Sequence, residues 1–333
     1  MRALRLTAPA PAGSGPLAPV DLPDLTPGPG ELVLEVAACA VCRTDLQIVE
    51  GELAARRLPI VPGHQVVGRV ARIGAGVTGW RHGDRAGVTW LGFADGTCRF
   101  CRSGRENLCL AAEFTGWDRD GGYASQIEVD AAFTFPLGGP LSDVELAPLL
   151  CGGVIGYRSL RVAGIEPGGR LGLYGFGASA LLAMQVATHW GCEVHVRTRS
   201  ERDRRRALDL GATTVGGYDE PAPPLDAAIT FAPSGDVVVA ALRSLERGGT
   251  VAINAIHLDR IPEFQYDELW WERSLRSVAN VTRQDAREFL ELATTIPIRT
   301  ETQAFALDEA NEALRRLAAG ELEGTAVLEV AVG

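Results

Sequence analysis

The chain has 333 residues, of which 46% are hydrophobic, so it is long enough to form two globular domains. Its 32 basic and 42 acidic residues give a net charge of −10, which argues against a nucleic-acid-binding or anionic-membrane surface. Every one of those basic residues is an arginine, so a mechanism that needs a lysine is excluded.

The N-terminus and the cysteines indicate the compartment. No run of about 18 apolar residues occurs, so we expect no membrane helix. The segment from Met1 to Arg5 lacks the apolar core of a signal peptide and instead predicts a first strand. We therefore expect a cytoplasmic protein. In that reducing environment seven cysteines, an odd number, indicate metal binding rather than a disulfide framework.

The first half of the chain predicts a β-rich, irregular domain. Residues 32–38 alternate between apolar and other side chains, and residues 68–74 lie between glycines, so both segments predict strands. Segments dense in proline and glycine, such as residues 27–30 and 121–122, predict loops. Loops of this kind often carry functional residues.

From about residue 156 the pattern changes to strands that alternate with helices. Strands are predicted at residues 171–174, 193–197, 226–231, 250–254, 275–279 and 325–330, and helices at 178–190, 201–210, 237–245 and 285–293. Such alternation implies right-handed crossovers and a parallel sheet. The second half of the chain therefore predicts a doubly wound α/β domain.

A compact cysteine cluster lies in the first half of the chain. Cys98, Cys101 and Cys109 have spacings typical of a zinc knuckle, but three thiolates do not complete a tetrahedral structural site. Asp95 lies three residues before Cys98, and a carboxylate is an acceptable fourth zinc ligand. We predict an Asp/Cys3 zinc site; the alternatives are a vacant cluster or cysteines that only pack.

Three further donors, Cys42, His64 and Cys151, are far apart in the sequence. A lone Cys or His is more often buried packing than a ligand. However, Thr44 and Asp45 follow Cys42 and suit proton handling, and His64 lies in a Pro-Gly-His turn. Three protein ligands leave a fourth zinc position for a substrate oxygen. These residues are our candidate catalytic zinc site.

A glycine-rich turn follows the first strand of the alternating half. It consists of Gly175, Phe176, Gly177, Ala178, Ser179 and Ala180. Glycines there let the backbone approach a pyrophosphate, and the next helix points its N-terminus at the anion. A lone match is often a structural turn, but its place between a predicted strand and helix indicates dinucleotide binding.

The end of the next strand indicates the choice of cofactor. NAD enzymes place an acid there for the ribose 2′-hydroxyl, whereas this chain has Arg197, Thr198, Arg199 and Ser200. Thr198, Arg199 and Ser200 suit a 2′-phosphate, so we predict NADP(H) rather than NAD(H). The alternative is an exposed arginine pair without a ligand.

With these motifs the chain resembles the zinc-containing alcohol dehydrogenases of the medium-chain dehydrogenase/reductase (MDR) superfamily, over essentially its full length. The matching stretches are Cys42-Arg43-Thr44-Asp45, Val61-Pro62-Gly63-His64, Gly83-Asp84-Arg85-Ala86-Gly87, the run from Cys101 to Cys109, Gly121-Gly122-Tyr123-Ala124 and Gly175-Phe176-Gly177. The resemblance implies a GroES-like catalytic domain at residues 1–155 and 287–333. It implies a Rossmann NAD(P)-binding domain at residues 156–286.

The resemblance also implies an activity: reversible oxidation of a primary or secondary alcohol, or reduction of the matching aldehyde or ketone. It places catalytic zinc on Cys42, His64 and Cys151 and structural zinc on Asp95, Cys98, Cys101 and Cys109. Thr44 would take the substrate proton, Asp45 would lie near the zinc, and Trp90, Leu91 and Trp117 would form pocket walls. A homodimer or homotetramer is implied, with small-molecule substrates as partners.

The chain departs from the family's pattern at several positions. Asp95 replaces the usual first structural cysteine, Gln65 replaces a glutamate beside the ligand histidine, and Gln47 replaces a proton-relay histidine. Thr325 stands where a basic residue is common. Two alternatives therefore stay open: a zinc-independent quinone or enone reductase of the same superfamily, and a non-catalytic zinc- and nucleotide-binding relative.

Overall fold

The computed structural model describes residues 1–255, 258 and 260–330. The chain divides into two compact units, one formed by Met1–Cys151 with Thr282–Gly333 and the other by Gly152–Val281. The sequence places these boundaries four or five residues later, at 155/156 and 286/287. The boundary after Cys151 falls there because Gly152 begins a helix of the second unit. The boundary before Thr282 falls there because Thr282 caps a helix of the first unit. Residues 331–333 of the predicted catalytic domain lie outside the described residues.

The described residues form these strands: β1 (Arg2–Leu6), β2 (Leu17–Asp21), β3 (Glu31–Ala40), β4 (Gln65–Ile73), β5 (Arg85–Val88), β6 (Leu91–Phe93), β7 (Glu113–Phe114), β8 (Gln126–Asp130), β9 (Thr134–Pro136), β10 (Arg170–Tyr174), β11 (Glu193–Arg197), β12 (Thr214–Gly216), β13 (Leu225–Thr230), β14 (Leu245–Ile253), β15 (Ser274–Ser277), β16 (Thr302–Ala306) and β17 (Thr325–Glu329).

The α-helices of the same residues are α1 (Arg43–Glu50), α2 (Arg99–Arg102), α3 (Asp143–Leu146), α4 (Gly152–Ala163), α5 (Ala178–His189), α6 (Glu201–Asp209), α7 (Gly235–Arg243), α8 (Tyr266–Leu269), α9 (Arg283–Thr295) and α10 (Ala310–Ala319). Short 3-10 helices span Ala12–Ser14, Glu106–Leu108, Ala131–Phe133, Ala147–Leu150 and Leu307–Glu309. None of the helices described is long and apolar enough to cross a membrane.

The first unit is built on a seven-stranded sheet in the order β16-β17-β3-β4-β5-β9, with β8 also paired to β3. Leu32, Val33 and Leu34 of β3 are each 0% exposed, as expected for a strand covered on both faces. The strand predicted at residues 32–38 is confirmed within β3, and the one predicted at 68–74 is confirmed in β4 except for its last residue, because β4 ends at Ile73. The C-terminal strand β17 pairs antiparallel with β3, so the end of the chain completes this sheet.

The second unit contains a six-stranded sheet in the order β12-β11-β10-β13-β14-β15, with every pair parallel. This is the doubly wound Rossmann order, whose switch point falls between β10 and β13. The predicted fold class, a GroES-like β-rich domain with a Rossmann domain, is confirmed. The helix predicted at 237–245 ends at Arg243, because Leu245 already begins β14 and pairs with Leu225.

Candidate functional site

Cys42, His64 and Cys151 meet in the first unit, where one donor atom from each lies within 4.8 Å of the other two. Cys42 is the N-cap of α1, His64 directly precedes β4, and Cys151 follows the 3-10 helix Ala147–Leu150. The ends of three different elements therefore deliver the donors. We call these three residues the donor trio; two thiols and an imidazole are the donor set that zinc prefers.

The Cys-Arg-Thr-Asp motif is a helix capping box. The Cys42 sulfur accepts the Thr44 amide at 3.4 Å, and Asp45 Oδ2 accepts the Cys42 amide at 2.9 Å. The other oxygen of Asp45 lies 3.1 Å from His64 Nδ1. The imidazole is thereby oriented with Nε2 toward Cys42, 3.4 Å from its sulfur. A carboxylate that orients a ligand histidine is a recurrent feature of zinc sites.

Two members of the donor trio, His64 and Cys42, have raised pKa values. Burial lowers the pKa of His64, but the charges of Asp45 and Cys42 outweigh it and raise that pKa to about 10. A hydrogen bond with Cys151, together with burial, raises the pKa of the Cys42 thiol well above its usual range. Since thiolate and neutral imidazole are the ligating forms, metal binding here displaces protons.

Close packing of glycines fixes the turn that carries His64. Gly63 has φ +98°, a left-handed conformation that favours glycine. A Cβ on Gly63 would come within 2.4 Å of the Tyr123 ring, and a Cβ on Gly121 would come within 2.0 Å of the Gly63 carbonyl oxygen. The segment around Gly121, which the sequence predicts only as a loop, therefore supports the turn that carries His64.

The two glutamines that depart from the family's pattern, Gln65 and Gln47, differ in burial. Gln65 is 2% exposed, and its side-chain amide donates to the Ala40 carbonyl at 3.4 Å. Gln47 is half-buried on α1. An amide carries no titratable proton in the ordinary pH range, so neither residue acts as an acid or base.

The second cluster, Asp95, Cys98, Cys101 and Cys109, also has its four donor atoms within 4.8 Å of one another. The sulfurs of Cys98 and Cys101 are 3.6 Å apart, and Cys109 Sγ lies 3.3 Å from Asp95 Oδ2. Cys98 is the N-cap of the short helix α2, which turns Cys101 toward it. The structure thus assembles the predicted Asp/Cys3 donor set, a composition that suits tetrahedral zinc.

The two oxygens of Asp95 have separate partners. Oδ1 accepts the amides of Thr97 and Cys98 at 2.7 and 2.8 Å, whereas Oδ2 faces Cys109. These backbone hydrogen bonds hold the pKa of Asp95 far below its usual range. Burial and the neighbouring thiols raise the pKa of Cys101 to about 12. Asp95 is therefore an ionised carboxylate with one oxygen anchored and the other directed at the cluster.

Asp95→Ala should lower the zinc content by about one ion per chain, because three thiolates do not complete a tetrahedral site. Asp95→Cys should retain zinc at least as well as the natural chain. Metal analysis after dialysis against a weak chelator measures both. Asp308→Ala, which removes an exposed carboxylate outside the cluster, is the control; equal zinc in all four proteins would contradict Asp95 ligation.

The glycine-rich turn lies at the switch point of the Rossmann sheet. Gly175 has φ +93°, and a Cβ there would lie 2.9 Å from the Ala232 amide nitrogen. Gly177 is the N-cap of α5, is exposed, and has nothing within 4 Å of the place a Cβ would take. No side chain caps α5, so its first amides are available to an anion.

The basic segment after β11 is only partly available to a ligand. Arg197 is 3% exposed and donates to the carbonyls of Val196 and Pro221. Arg199 is exposed and lies over the Tyr218 ring, 5.9 Å from its centroid. The alternative of an exposed arginine pair is wrong, because Arg197 is buried; the predicted phosphate ligands, Thr198, Arg199 and Ser200, do not include it.

Three other residues complete the surroundings of Arg199. Thr198 Oγ1 accepts the Ser200 amide at 3.3 Å, and Ser200 is the N-cap of α6. Arg204 donates to the Thr198 carbonyl at 2.9 Å and to Glu201 Oε1 at 2.6 Å, so its guanidinium is already paired and stabilises the end of the strand.

Of the three residues predicted as pocket walls, one is buried in a core and two are half-buried. Leu91 is 2% exposed and lies in a small core beside the cysteine cluster. Trp90 and Trp117 are half-buried, and the Trp90 ring centroid is 4.8 Å from that of His64. The two tryptophans therefore offer aromatic surface beside the donor trio.

Comparisons with known proteins agree with this geometry. Residues 28–139 match the alcohol dehydrogenase GroES-like domain. The chain is 48% identical to a probable alcohol dehydrogenase, AdhA, of Mycobacterium tuberculosis, over 98% of this chain and 97% of that one. A cinnamyl alcohol dehydrogenase of Sorghum bicolor has a similar structure, with a TM-score of 0.88, 26% identity and coverage of 98% and 97%. A cobalt- and zinc-bound alcohol dehydrogenase of Pyrobaculum aerophilum has a TM-score of 0.87, 25% identity and coverage of 99% of both chains.

Proposed function

Because the chain belongs to the zinc-type alcohol dehydrogenases of the MDR superfamily, we propose that it interconverts primary or secondary alcohols with aldehydes or ketones, using zinc and NADP(H). The observation that carries the proposal is the donor trio, whose three donor atoms lie within 4.8 Å of one another. Structural zinc sites have four protein ligands, whereas the donor trio supplies three and leaves a fourth position for a substrate oxygen.

The donor trio fits a catalytic zinc by its chemistry and by its support. Cys42, His64 and Cys151 supply three ligands, and Asp45 orients the imidazole. Zinc held there supplies a Lewis acid that polarises a carbonyl or lowers the pKa of an alcohol. The second cluster fits a structural zinc, with Asp95 Oδ2 as the fourth donor.

Thr44 is the proposed proton carrier. Its amide donates to the Cys42 sulfur, and the residue is 6% exposed, so Thr44 lies buried next to a member of the donor trio. A hydroxyl both donates and accepts, so it passes a proton from a bound alcohol without itself ionising. Gln47 does not continue this path, and we assign the next step to solvent water.

NADP(H) is the proposed hydride carrier, bound by the glycine-rich turn of Gly175 to Ala180. The N-terminal amides of α5, which no side chain caps, would hold the pyrophosphate, and the nicotinamide would supply the hydride chemistry. Thr198, Arg199 and Ser200 are the proposed 2′-phosphate ligands. What supports this preference is the exposed guanidinium of Arg199 with the half-buried Ser200 beside it, together with the absence of an acid at the end of β11; Thr198 itself is only 4% exposed.

Arg199→Gln should raise KM for NADPH about tenfold and leave KM for NADH nearly unchanged, because a charge-assisted hydrogen bond to phosphate is lost. Initial rates with both nucleotides measure the change. Arg205→Gln, which removes an exposed charge from the same region, is the control. Equal effects on the two nucleotides, or a natural chain that prefers NADH, would contradict the NADP assignment.

The alternatives predict different responses to a chelator. A quinone or enone reductase without zinc would need no donor trio and would keep its turnover when metal is removed. A non-catalytic relative would bind nucleotide but turn over no carbonyl. The test of the proposed function is therefore a screen of aldehydes and ketones with NADPH and NADH, each before and after zinc removal.

We also propose that the protein is cytoplasmic and forms a homodimer or homotetramer. Light scattering measures the number of chains in the assembly.

A further inference from the structure

The last residue of β11, Arg197, is a buried cation. It is 3% exposed, and its guanidinium donates to the carbonyls of Val196 and Pro221 at 3.1 and 2.8 Å and to Thr214 Oγ1 at 3.2 Å. Its Nε is buried without a hydrogen-bond partner in the described part of the chain. These partners are all neutral oxygens, so no carboxylate of the described residues balances the charge. An unmatched buried charge costs free energy of folding, which packing alone does not explain.

The neighbours of Arg197 on the sheet add no negative charge. His195 lies two residues earlier on the same face of β11; burial, and then the charge of Arg197, lower its pKa, so the imidazole is neutral at neutral pH. Glu193 is exposed at the other end of the strand, 4.0 Å from His195 Nε2. Tyr174 is the partner of Arg197 on β10, its hydroxyl donates to Ser244 at 2.8 Å, and burial raises its pKa. The buried side chains at the end of β11 therefore carry a net positive charge.

The loop at residues 217–221, which follows β12, contacts both Arg197 and Arg199. The Pro221 carbonyl accepts from the buried guanidinium, and the ring of Tyr218 lies 5.9 Å from the exposed guanidinium of Arg199. One short loop thus contacts a buried and an exposed cation at the carboxyl end of the parallel sheet, the edge at which open α/β sheets bind ligands.

Acids on α6 and in the same loop have other partners. Glu201 pairs with Arg204 at 2.6 Å, and Glu220 accepts the Gly217 amide at 2.8 Å. Asp203 lies in the first turn of α6, where a carboxylate interacts with the positive end of the helix dipole. None of these acids forms an ion pair with either arginine at the end of β11.

We propose that Arg197 determines nucleotide specificity from inside the fold: its buried, unmatched charge favours a 2′-phosphate at the end of β11 without contacting it. This inference rests on the proposed use of NADP(H) and adds a residue that is not among the predicted phosphate ligands. A buried charge is screened less by water and salt than an exposed one. A neutral 2′-hydroxyl gains nothing from the field of Arg197, so the effect falls on NADPH and not on NADH.

Arg197→Gln tests the charge, because glutamine keeps a side-chain donor for the loop but carries no charge. Fluorescence titration with NADPH and with NADH gives both dissociation constants without turnover. We expect the natural chain to bind NADPH more tightly than NADH. Arg197→Gln should weaken NADPH binding about fivefold and leave NADH binding nearly unchanged, since only the phosphate senses the lost charge.

Arg197→Lys separates the charge from the hydrogen bonds to the loop. A buried ammonium loses its proton at lower pH than an exposed one, whereas a guanidinium stays protonated. Compared with the natural chain at the same pH, this variant should bind NADPH nearly as well at mildly acidic pH and about fivefold more weakly once the ammonium is neutral. A residue that only braces the loop would show no such dependence on pH.

Arg170→Gln is the matched control, because Arg170 begins β10 at the opposite edge of the sheet and pairs with Asp226 at 3.0 Å. It should leave both dissociation constants as they are. The inference alone is overturned if Arg197→Gln weakens the two nucleotides equally or weakens neither, or if Arg197→Lys loses the same NADPH affinity at every pH. A natural chain that binds NADH as tightly as NADPH would overturn the NADP assignment as well.

Discussion

Cys42→Ser should reduce alcohol and aldehyde turnover at least about a thousandfold, because Lewis-acid stabilisation is worth several kcal/mol and each ~1.4 kcal/mol is tenfold in rate. Serine is a favoured N-cap residue, so the cap of α1 survives and only the thiolate is lost. The zinc content should fall by about one ion per chain. Steady-state kinetics and metal analysis on the same preparation measure both effects.

Cys192→Ser is the matched control for this substitution. Cys192 is buried in the nucleotide-binding unit, belongs to neither donor cluster, and donates to the Glu166 carbonyl at 3.6 Å, which a serine hydroxyl also does. It should leave the zinc content and the rate as they are. Full turnover by Cys42→Ser with its zinc lost would contradict a catalytic role for the metal.

The second large effect is expected at the glycine-rich turn, where two substitutions separate folding from binding. Gly177→Ala should weaken nucleotide binding about tenfold or more, because a methyl group stands where the backbone must approach the pyrophosphate. Its free energy of unfolding should stay close to that of the natural chain, since nothing lies within 4 Å of the added Cβ. Fluorescence titration with NADPH and thermal unfolding measure the two quantities.

Gly175→Ala should weaken binding and also destabilise the fold. Gly175 has φ +93°, and a Cβ there would lie 2.9 Å from the Ala232 amide nitrogen. A left-handed conformation at a residue with a side chain costs roughly 1–2 kcal/mol. A Gly177→Ala protein that binds NADPH as tightly as the natural chain would show that the turn is only structural.

Local patterns in the sequence were enough to predict the sheets and the donors. The strand predicted at residues 193–197 coincides with β11, and the glycine-rich turn joins β10 to α5 as expected. Both rest on side-chain periodicity and turn chemistry, which leave a signal within a few residues. Cys42, His64 and the cluster of Cys98, Cys101 and Cys109 could be named for the same reason, whereas Cys151 has no motif around it.

Contacts between distant segments could not be predicted in that way. Asp45 Oδ1 lies 3.1 Å from His64 Nδ1, 19 residues later in the chain, and Gly121 packs on the carbonyl of Gly63. The burial of Arg197 depends on Pro221, 24 residues later in the chain. The guanidinium of Arg56 lies 4.0 Å from the Trp117 ring centroid, a contact between two loops whose sequences show no periodicity. Such pairs are set by how the elements pack, so only the structure identifies them.

The most direct test of zinc catalysis is to measure zinc per chain and aldehyde reduction by NADPH together, on protein purified under reducing conditions without added metal. We expect close to two zinc ions per chain, loss of turnover as the zinc of the donor trio is chelated, and recovery when zinc is returned. Turnover that persists when the zinc content is close to zero would contradict it.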